Sequence, residues 1–232
     1  MASASALLQR GTIDVRGRMP YSSNATLLVD LTLDDEHGLA IYKPAQGERP
    51  LWDFPSGLFK REVAAFELDV ALGWDLVPPT VLRDDAPFGV GSVQQFVHGD
   101  VEQHYFTFLE DEAHHPQLQR LCAFDILANA TDRKGGHVLV DEDGHLWAID
   151  NGLSFHQEFK LRTVVWDFSG QPIPDDVLAD IDAFLDADLP QSLADLLDPF
   201  ERDALRIRGR ALLQHGCFPV DASGRAYPWP LV

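Results

Sequence analysis

Asp125-Ile-Leu-Ala-Asn-Ala-Thr-Asp132-Arg-Lys-Gly-Gly-His137-Val-Leu-Val140, then the turn Asp141-Glu-Asp-Gly144, then His145-Leu-Trp-Ala-Ile-Asp150-Asn-Gly-Leu-Ser-Phe155, reads as a helix, a polar loop and a hairpin. From Leu121 to Ala128 the helix is apolar except for Asp125. A helix that is apolar all round is buried. Asp125 must then find a partner, and it is expected to brace the Asp132 loop through backbone N–H groups, the alternative being a solvent gap. Gly135-Gly136 lets the chain turn tightly between the loop and the first strand. Asp132 precedes the hairpin and Asp150 ends it, so the two carboxylates come to one end of it. Such a mouth suits a divalent cation and phosphates better than two carboxylates facing each other.

Around this stretch the chain divides near Asp100. Before it, Thr12–Arg16, Leu27–Leu33 and Leu39–Lys43 read as strands, with a loop at Gly17–Asn24 and a turn at Asp34–Gly38. A helix is predicted from about Leu58 to Leu72, stopped by Gly73. Val77–Leu82 and Ser92–Val97 read as further strands. After Asp100 helices dominate: Gln117–Ala130, Asp175–Asp186, Ser192–Leu196 and Pro199–His215. The expected architecture is α+β and two-lobed, with residues 1–99 forming an antiparallel sheet plus one helix. Residues 100–232 form a mostly helical lobe around the hairpin.

Composition narrows the partners. The 232 residues are 45% apolar and 24% charged, ordinary for a globular chain, so disorder is expected only over Met1–Ser5. The net charge is −19. Such a surface repels nucleic-acid backbones and anionic lipid headgroups, so neither is an expected partner. Cys122 and Cys217 form no motif and read as reduced thiols. No apolar run approaches the roughly 20 residues of a membrane span, and the start lacks a signal-peptide pattern. The reading is cytoplasmic. His114-His115 beside Asp111 and Glu112 lacks zinc-motif spacing.

Phosphoryl transfer from a nucleotide needs a cation for the phosphates, carboxylates or amides for a metal, and a carboxylate to orient the incoming hydroxyl. Lys43, closing an apolar strand, is the cation candidate. Glu62, early in the following helix, is a candidate to aim it, and Glu67 is a rival one turn further on. Asp132 and Asp150 supply the carboxylates.

The paired motifs Asp132-Arg-Lys-Gly-Gly-His137 and Ile149-Asp150-Asn-Gly-Leu-Ser-Phe155 resemble the signatures of the phosphatidylinositol 3-/4-kinase-like group. The type II phosphatidylinositol 4-kinases are the nearest in flavour, HipA-like kinases are cousins, and the whole chain is similar to an uncharacterised actinobacterial branch. The resemblance implies a protein-kinase-like fold that uses ATP and Mg²⁺, with Mn²⁺ as a substitute. It implies a phosphate-covering loop at Tyr21–Thr26, with Ser22, Ser23, Asn24 and Thr26 toward the nucleotide. Lys43 would contact the phosphates and Glu62 would position it. Gln94, Gln95, Phe96 and Val97 would form the hinge against the base. Asp132 would be the catalytic carboxylate, and Asp150 with His137 the metal ligands. His137 stands where the group has Asn, and neutral imidazole prefers softer metals than Mg²⁺.

The expected activity is an ATP- and metal-dependent phosphotransferase acting on an unidentified soluble small molecule or protein. Two alternatives stay open: a nucleotide-binding regulator without transfer, and an enzyme transferring another group.

Overall fold

The computed structural model describes residues 4–20, 22, 24–100, 102–221, 224 and 226–232. Its N-terminal part is a five-stranded antiparallel sheet in the order β1-β2-β3-β5-β4. The strands are β1 (Thr12–Arg18), β2 (Leu27–Leu33), β3 (Glu36–Pro44), β4 (Thr80–Arg83) and β5 (Gly91–Gln95). The β2–β3 turn is tighter than predicted. Leu33 pairs with Glu36, so Asp34-Asp35 alone make the turn, with Asp34 at φ 54. An Asp tolerates that left-handed conformation, and Glu36–Gly38 are thereby released into the strand. β4 starts later than predicted because Pro78 and Pro79 have no N–H to give. The N–H groups of Leu76 and Val77 go instead to the Asp69 carboxylate, at 2.8 and 2.9 Å.

An N-terminal helix, α1 (Ala4–Arg10), was not expected, and it takes in Ser5. Leu8 on it packs with Ile13, Val29, Leu31, Ala40, Tyr42 and Val93 against one face of the sheet. Arg83 of β4 closes its C-terminal end, donating to the carbonyls of Leu8 at 2.8 Å and Gly11 at 3.1 Å.

The other face carries Lys43 and Gln94 toward the cleft and meets α2 (Leu58–Leu72), whose limits match the prediction. Gly73 ends α2 in the left-handed conformation, its N–H returning to Asp69 O at 2.8 Å. Ala64, Ala65, Leu68 and Leu72 belong to the same hydrophobic cluster as the C-terminal helices. The boundary in chain order near Asp100 and the division of the core therefore do not coincide at α2.

The C-terminal part comprises α3 (Tyr105–Phe108), α4 (His115–Ala128), β6 (Val138–Val140), β7 (Leu146–Ala148), α5 (Asp175–Asp186), α6 (Gln191–Ala194) and α7 (Pro199–His215). Residues Leu121–Ala128 of α4 are all buried, as an all-round apolar helix requires. α4 stops at Ala128, two residues short of the prediction, because Asn129 turns left-handed at φ 53. β6 and β7 form the predicted hairpin, with Val138 opposite Ala148. Cys122 and Cys217 are both free. Among the described residues no helix is long and apolar enough to cross a membrane.

Leu68 is fully buried where α2 joins the C-terminal core. Leu68→Ala is expected to lower the unfolding free energy by about 2–5 kcal/mol in urea titration, the cost of a core cavity.

Candidate functional site

The cleft between sheet and hairpin is organised around the Lys43 ammonium. β3 delivers Lys43 opposite Ser92 of β5. Its Nζ donates to the Glu62 carboxylate of α2 and, at 2.7 Å, to Asp150 Oδ1 just beyond β7. The structure thus separates the two rival glutamates. Glu62 is buried, and its second oxygen accepts the Asn151 N–H at 3.0 Å. Glu67 faces elsewhere and accepts the Ser192 hydroxyl at 2.5 Å.

Charge in this cluster is held in place. Burial works against the Lys43 ammonium, but Asp150 and Glu62 outweigh it and raise its pKa above the ordinary lysine value. Lys43 in turn holds the Asp150 carboxyl well below the usual range. Burial pushes Glu62 upward even though Lys43 lies beside it. Asp150 sits at φ 57, a conformation that costs a non-glycine residue strain. Its neighbours are pinned, so the turn persists.

The pinning group is Arg133, 2% exposed. Its Nε donates to Asp125 Oδ1 at 3.0 Å, Nη1 to the Ile149 carbonyl at 2.6 Å, and Nη2 to Asn151 Oδ1 at 2.5 Å. Thr163 Oγ1 donates to the other Asp125 oxygen at 2.8 Å. Asp125 therefore braces the Asp132 loop through the Arg133 and Thr163 side chains, not through backbone N–H groups as expected. A buried carboxylate needs a strong compensating partner, and a fixed guanidinium fork supplies more than a loop N–H can.

Asp132 faces the cleft from that loop, with Lys134 Nζ 3.1 Å from its Oδ2. Burial raises the Asp132 pKa, and Lys134 offsets part of that rise. His137 accepts the Lys134 N–H on Nδ1 at 3.3 Å. In the neutral ring the proton then lies on Nε2, which stands 3.5 Å from Asp150 Oδ2. Burial lowers the His137 pKa to about 4, so the ring is neutral at pH 7.

Two cavities meet at Lys43, His137 and Asp150. One, of about 200 Å³, is polar and touches Ser22, Asn24, Thr26, Glu62, Asp132 and Lys134. The other, of about 360 Å³, is a mainly apolar slot between Ile41, Phe96, Val97, Leu139 and Ile149. Gln94 and Gln95 line the slot as well. Gln94 is buried and donates to Thr80 Oγ1 at 2.8 Å, whereas Gln95 is exposed. The Phe96 N–H is used by the Leu39 carbonyl at 3.1 Å.

Over the polar cavity, Ser22 Oγ donates to Met19 O at 2.8 Å, and Asn24 Oδ1 accepts the Arg49 N–H at 3.0 Å. Tyr21 and Ser23, assigned to the same loop, lie outside the described residues. Among the described residues no group of three or more His, Cys, Asp or Glu could hold a metal ion by itself. The carboxylates of Asp150 and Asp132 are nevertheless hard oxygen donors beside a polar chamber. Magnesium is commonly held by one or two carboxylates plus substrate phosphates rather than by an all-protein cage, so these residues fit a phosphate-borne cation. His137 does not present a free ring lone pair to it. Sequence reasoning missed Arg133 and Lys134 as parts of the site. Their signal was a guanidinium and an ammonium directly following Asp132.

The chain is 37% identical to the protein Rv2133c of Mycobacterium tuberculosis (strain ATCC 25618 / H37Rv), covering 97% of this chain and 94% of that one. No protein-family model matches, so the likeness to the phosphatidylinositol 3-/4-kinase-like group stays a resemblance. The crystal structure of the Helicobacter pylori proinflammatory kinase CtkA superposes with TM-score 0.55 at 10% identity, over 91% of this chain and 94% of that one. That similarity shows a kinase-like fold. The structure of hydra Fam20 with sugar gives TM-score 0.49 at 13% identity, over 90% of this chain and 86% of that one, below the level at which a shared fold follows.

Two outcomes are expected. Asp125→Ala strands the Arg133 guanidinium and should lower the unfolding free energy by about 3–5 kcal/mol in urea titration. The second concerns His137, which titrates near 6.5 in the unfolded chain and at about 4 in the folded one. Between those values the unfolded chain binds the extra proton, so this contribution to stability falls as pH falls from 6.5 to 4. Wild type should therefore lose stability relative to His137→Asn as pH drops from 7 to 4. Parallel unfolding curves for the two proteins across that range would refute it.

Proposed function

The chain belongs to the family of the Mycobacterium tuberculosis protein Rv2133c, and we propose that it is an ATP- and divalent-metal-dependent phosphotransferase acting on a soluble small molecule or protein. The observation that carries this reading is the Lys43 ammonium, bonded to Glu62 and Asp150 where an apolar slot opens into a polar chamber that also contains Asp132. An apolar slot suits a purine base. A fixed ammonium suits the phosphates beside it.

In this reading Lys43 binds the α- and β-phosphates and Glu62 keeps its ammonium aimed. Asp150 and Asp132 are the residues that would hold a magnesium ion, whose chemistry is to neutralise charge on the transferring phosphoryl group. Asp132 orients the acceptor hydroxyl and accepts its proton, a role helped by a raised carboxylate pKa. Lys134, 3.1 Å from Asp132, keeps that carboxylate oriented and adds positive charge at the mouth of the chamber. Phe96 and Val97 close the apolar slot around the base.

One observation favours a second reading, nucleotide binding without transfer. The proton-bearing Nε2 of His137 stands by Asp150, where the resembling group has an asparagine that ligates the second metal.

Thermal shift with ATP and Mg²⁺ or Mn²⁺, followed by measurement of ATP turnover, separates the readings. Saturating nucleotide at about 100 times its Kd should stabilise the protein by about 2.7 kcal/mol. Asp132→Asn should lower turnover by roughly 10²–10⁴-fold, far more than it weakens nucleotide binding, whereas Lys43→Met should weaken nucleotide binding itself. Binding without turnover in wild type would select the second reading. No stabilisation by any nucleotide with either metal would sink both.

A further inference from the structure

Arg61 is the residue before Glu62 on α2, and it is 5% exposed. Its guanidinium makes contacts in three directions. Nε donates to the Ser154 carbonyl at 3.0 Å, in the segment that follows Asp150. Nη1 reaches the Gly57 carbonyl at 3.4 Å, at the start of its own helix. Nη2 is ion-paired with the Glu201 carboxylate of α7. The guanidinium also lies 5.1 Å over the Phe54 ring.

Glu201 is equally fixed. It is 4% exposed, and its other oxygen accepts the Asp198 N–H at 3.0 Å. Asp198 in turn caps the first turn of α7 by accepting the N–H groups of Phe200 at 2.7 Å and Glu201 at 2.9 Å. Two turns along the same face, Arg208 donates to the Leu127 carbonyl at 2.7 Å, near the end of α4. α7 is thus tied both to α2, which carries Glu62, and to α4, which leads into the Asp132 loop.

A further side chain of α2 bonds the C-terminal helices: Glu67 accepts the Ser192 hydroxyl at 2.5 Å, but at the exposed surface and more than a turn beyond Glu62, so it holds the rotation of α2 less firmly than the buried Arg61 does. The apolar α2 residues Ala64, Ala65, Leu68 and Leu72 pack non-directionally into the C-terminal core. The cap on its first turn comes from Glu48, which accepts the N–H groups of Gly57 at 2.9 Å and Phe59 at 2.7 Å. Glu48 lies just past β3 in the N-terminal half, so it does not tie α2 to the helices below. Adjacent helical residues point about 100° apart. Holding Arg61 against α7 therefore sets the direction in which Glu62 points.

We infer that the Arg61–Glu201 ion pair is a latch that holds α2 in the orientation at which Glu62 meets Lys43. Both residues are positioning residues, acting through Glu62. In kinase-fold proteins the placement of this helix controls the lysine–glutamate pair. Here a buried pair to α7 keeps it in place. The mechanical part of the inference stands on the contacts alone, and its catalytic consequence rests on the phosphotransferase reading.

Hydrogen exchange and kinetics test the two parts separately. In Glu201→Gln, amides of residues 60–66 should exchange at least about tenfold faster, while those of residues 121–127 change less than about twofold, the pattern of local opening. Equal acceleration in both segments, or none in either, overturns the latch. Should the single variant fail to fold, Arg61→Met with Glu201→Leu removes both charges of the pair together, leaving Arg208 on the Leu127 carbonyl, and is measured in the same way. In the kinetic arm, Glu201→Gln should lower kcat for ATP about tenfold in wild type. In a Glu62→Gln background it should lower kcat less than about twofold, because the partner it positions is already gone. Equal losses in both backgrounds overturn the proposal. Absence of turnover in wild type overturns the phosphotransferase reading, and the exchange result then decides the latch.

Discussion

The buried Arg133 guanidinium is the constraint on which the site depends. Water is excluded around it, so each of its N–H groups must be answered by protein, and an unanswered one would cost dearly in that environment. The answers come from α4 through Asp125, from the end of β7 through the Ile149 carbonyl, and from the turn after it through Asn151. One side chain thereby relates the loop carrying Asp132 to the turn carrying Asp150. It also makes the left-handed Asp150 tolerable, since the carbonyl before it and the amide after it are both occupied.

A second layer of buried charge surrounds the first. Lys43 joins the sheet to α2 and to the hairpin. Arg61 joins α2 to α7, and Arg208 joins α7 to α4. Each contact crosses between elements whose apolar packing would also permit nearby arrangements. Directional charge-assisted bonds exclude those alternatives. Removing one member of such a pair is costly, although the pair as a whole adds little to stability. Their value is geometric.

Much of the fold was legible in the chain. The limits of α2, α5 and α7 and the β6–β7 hairpin follow from apolar periodicity and from Gly73 and Gly216 at helix ends. α1 escaped notice because seven residues give too short a pattern. Its clues were the Leu7-Leu8 pair and the stop at Gly11. The start of β4 was misjudged because Asp69, seven residues earlier in sequence than Leu76, claims the N–H groups that a strand would have used. Within the site, Asp132, Asp150 and Lys43 are legible from their places at element ends and Glu62 from its place early in the next helix, and the structure brings Lys43 to both Glu62 and Asp150. Spacing alone left Glu67 as a rival of Glu62; the family resemblance favoured Glu62, and the direction of α2 places Glu62 at Lys43.

The sequence by itself determined most of the long helices and the hairpin, that Asp132 and Asp150 share one end of that hairpin, and that a carboxylate at Asp125 had to be paired. These follow from periodicity, from chain connectivity and from the cost of burying charge, all of which are local. Only the tertiary structure decided what those charges pair with. Arg133 takes Asp125, Arg61 takes Glu201, and the His137 ring turns Nδ1 to the Lys134 N–H and Nε2 toward Asp150. Arg61 and Glu201 lie far apart in the chain. Whether such groups meet depends on how α2 and α7 pack, and apolar burial sets that packing without regard to sequence order.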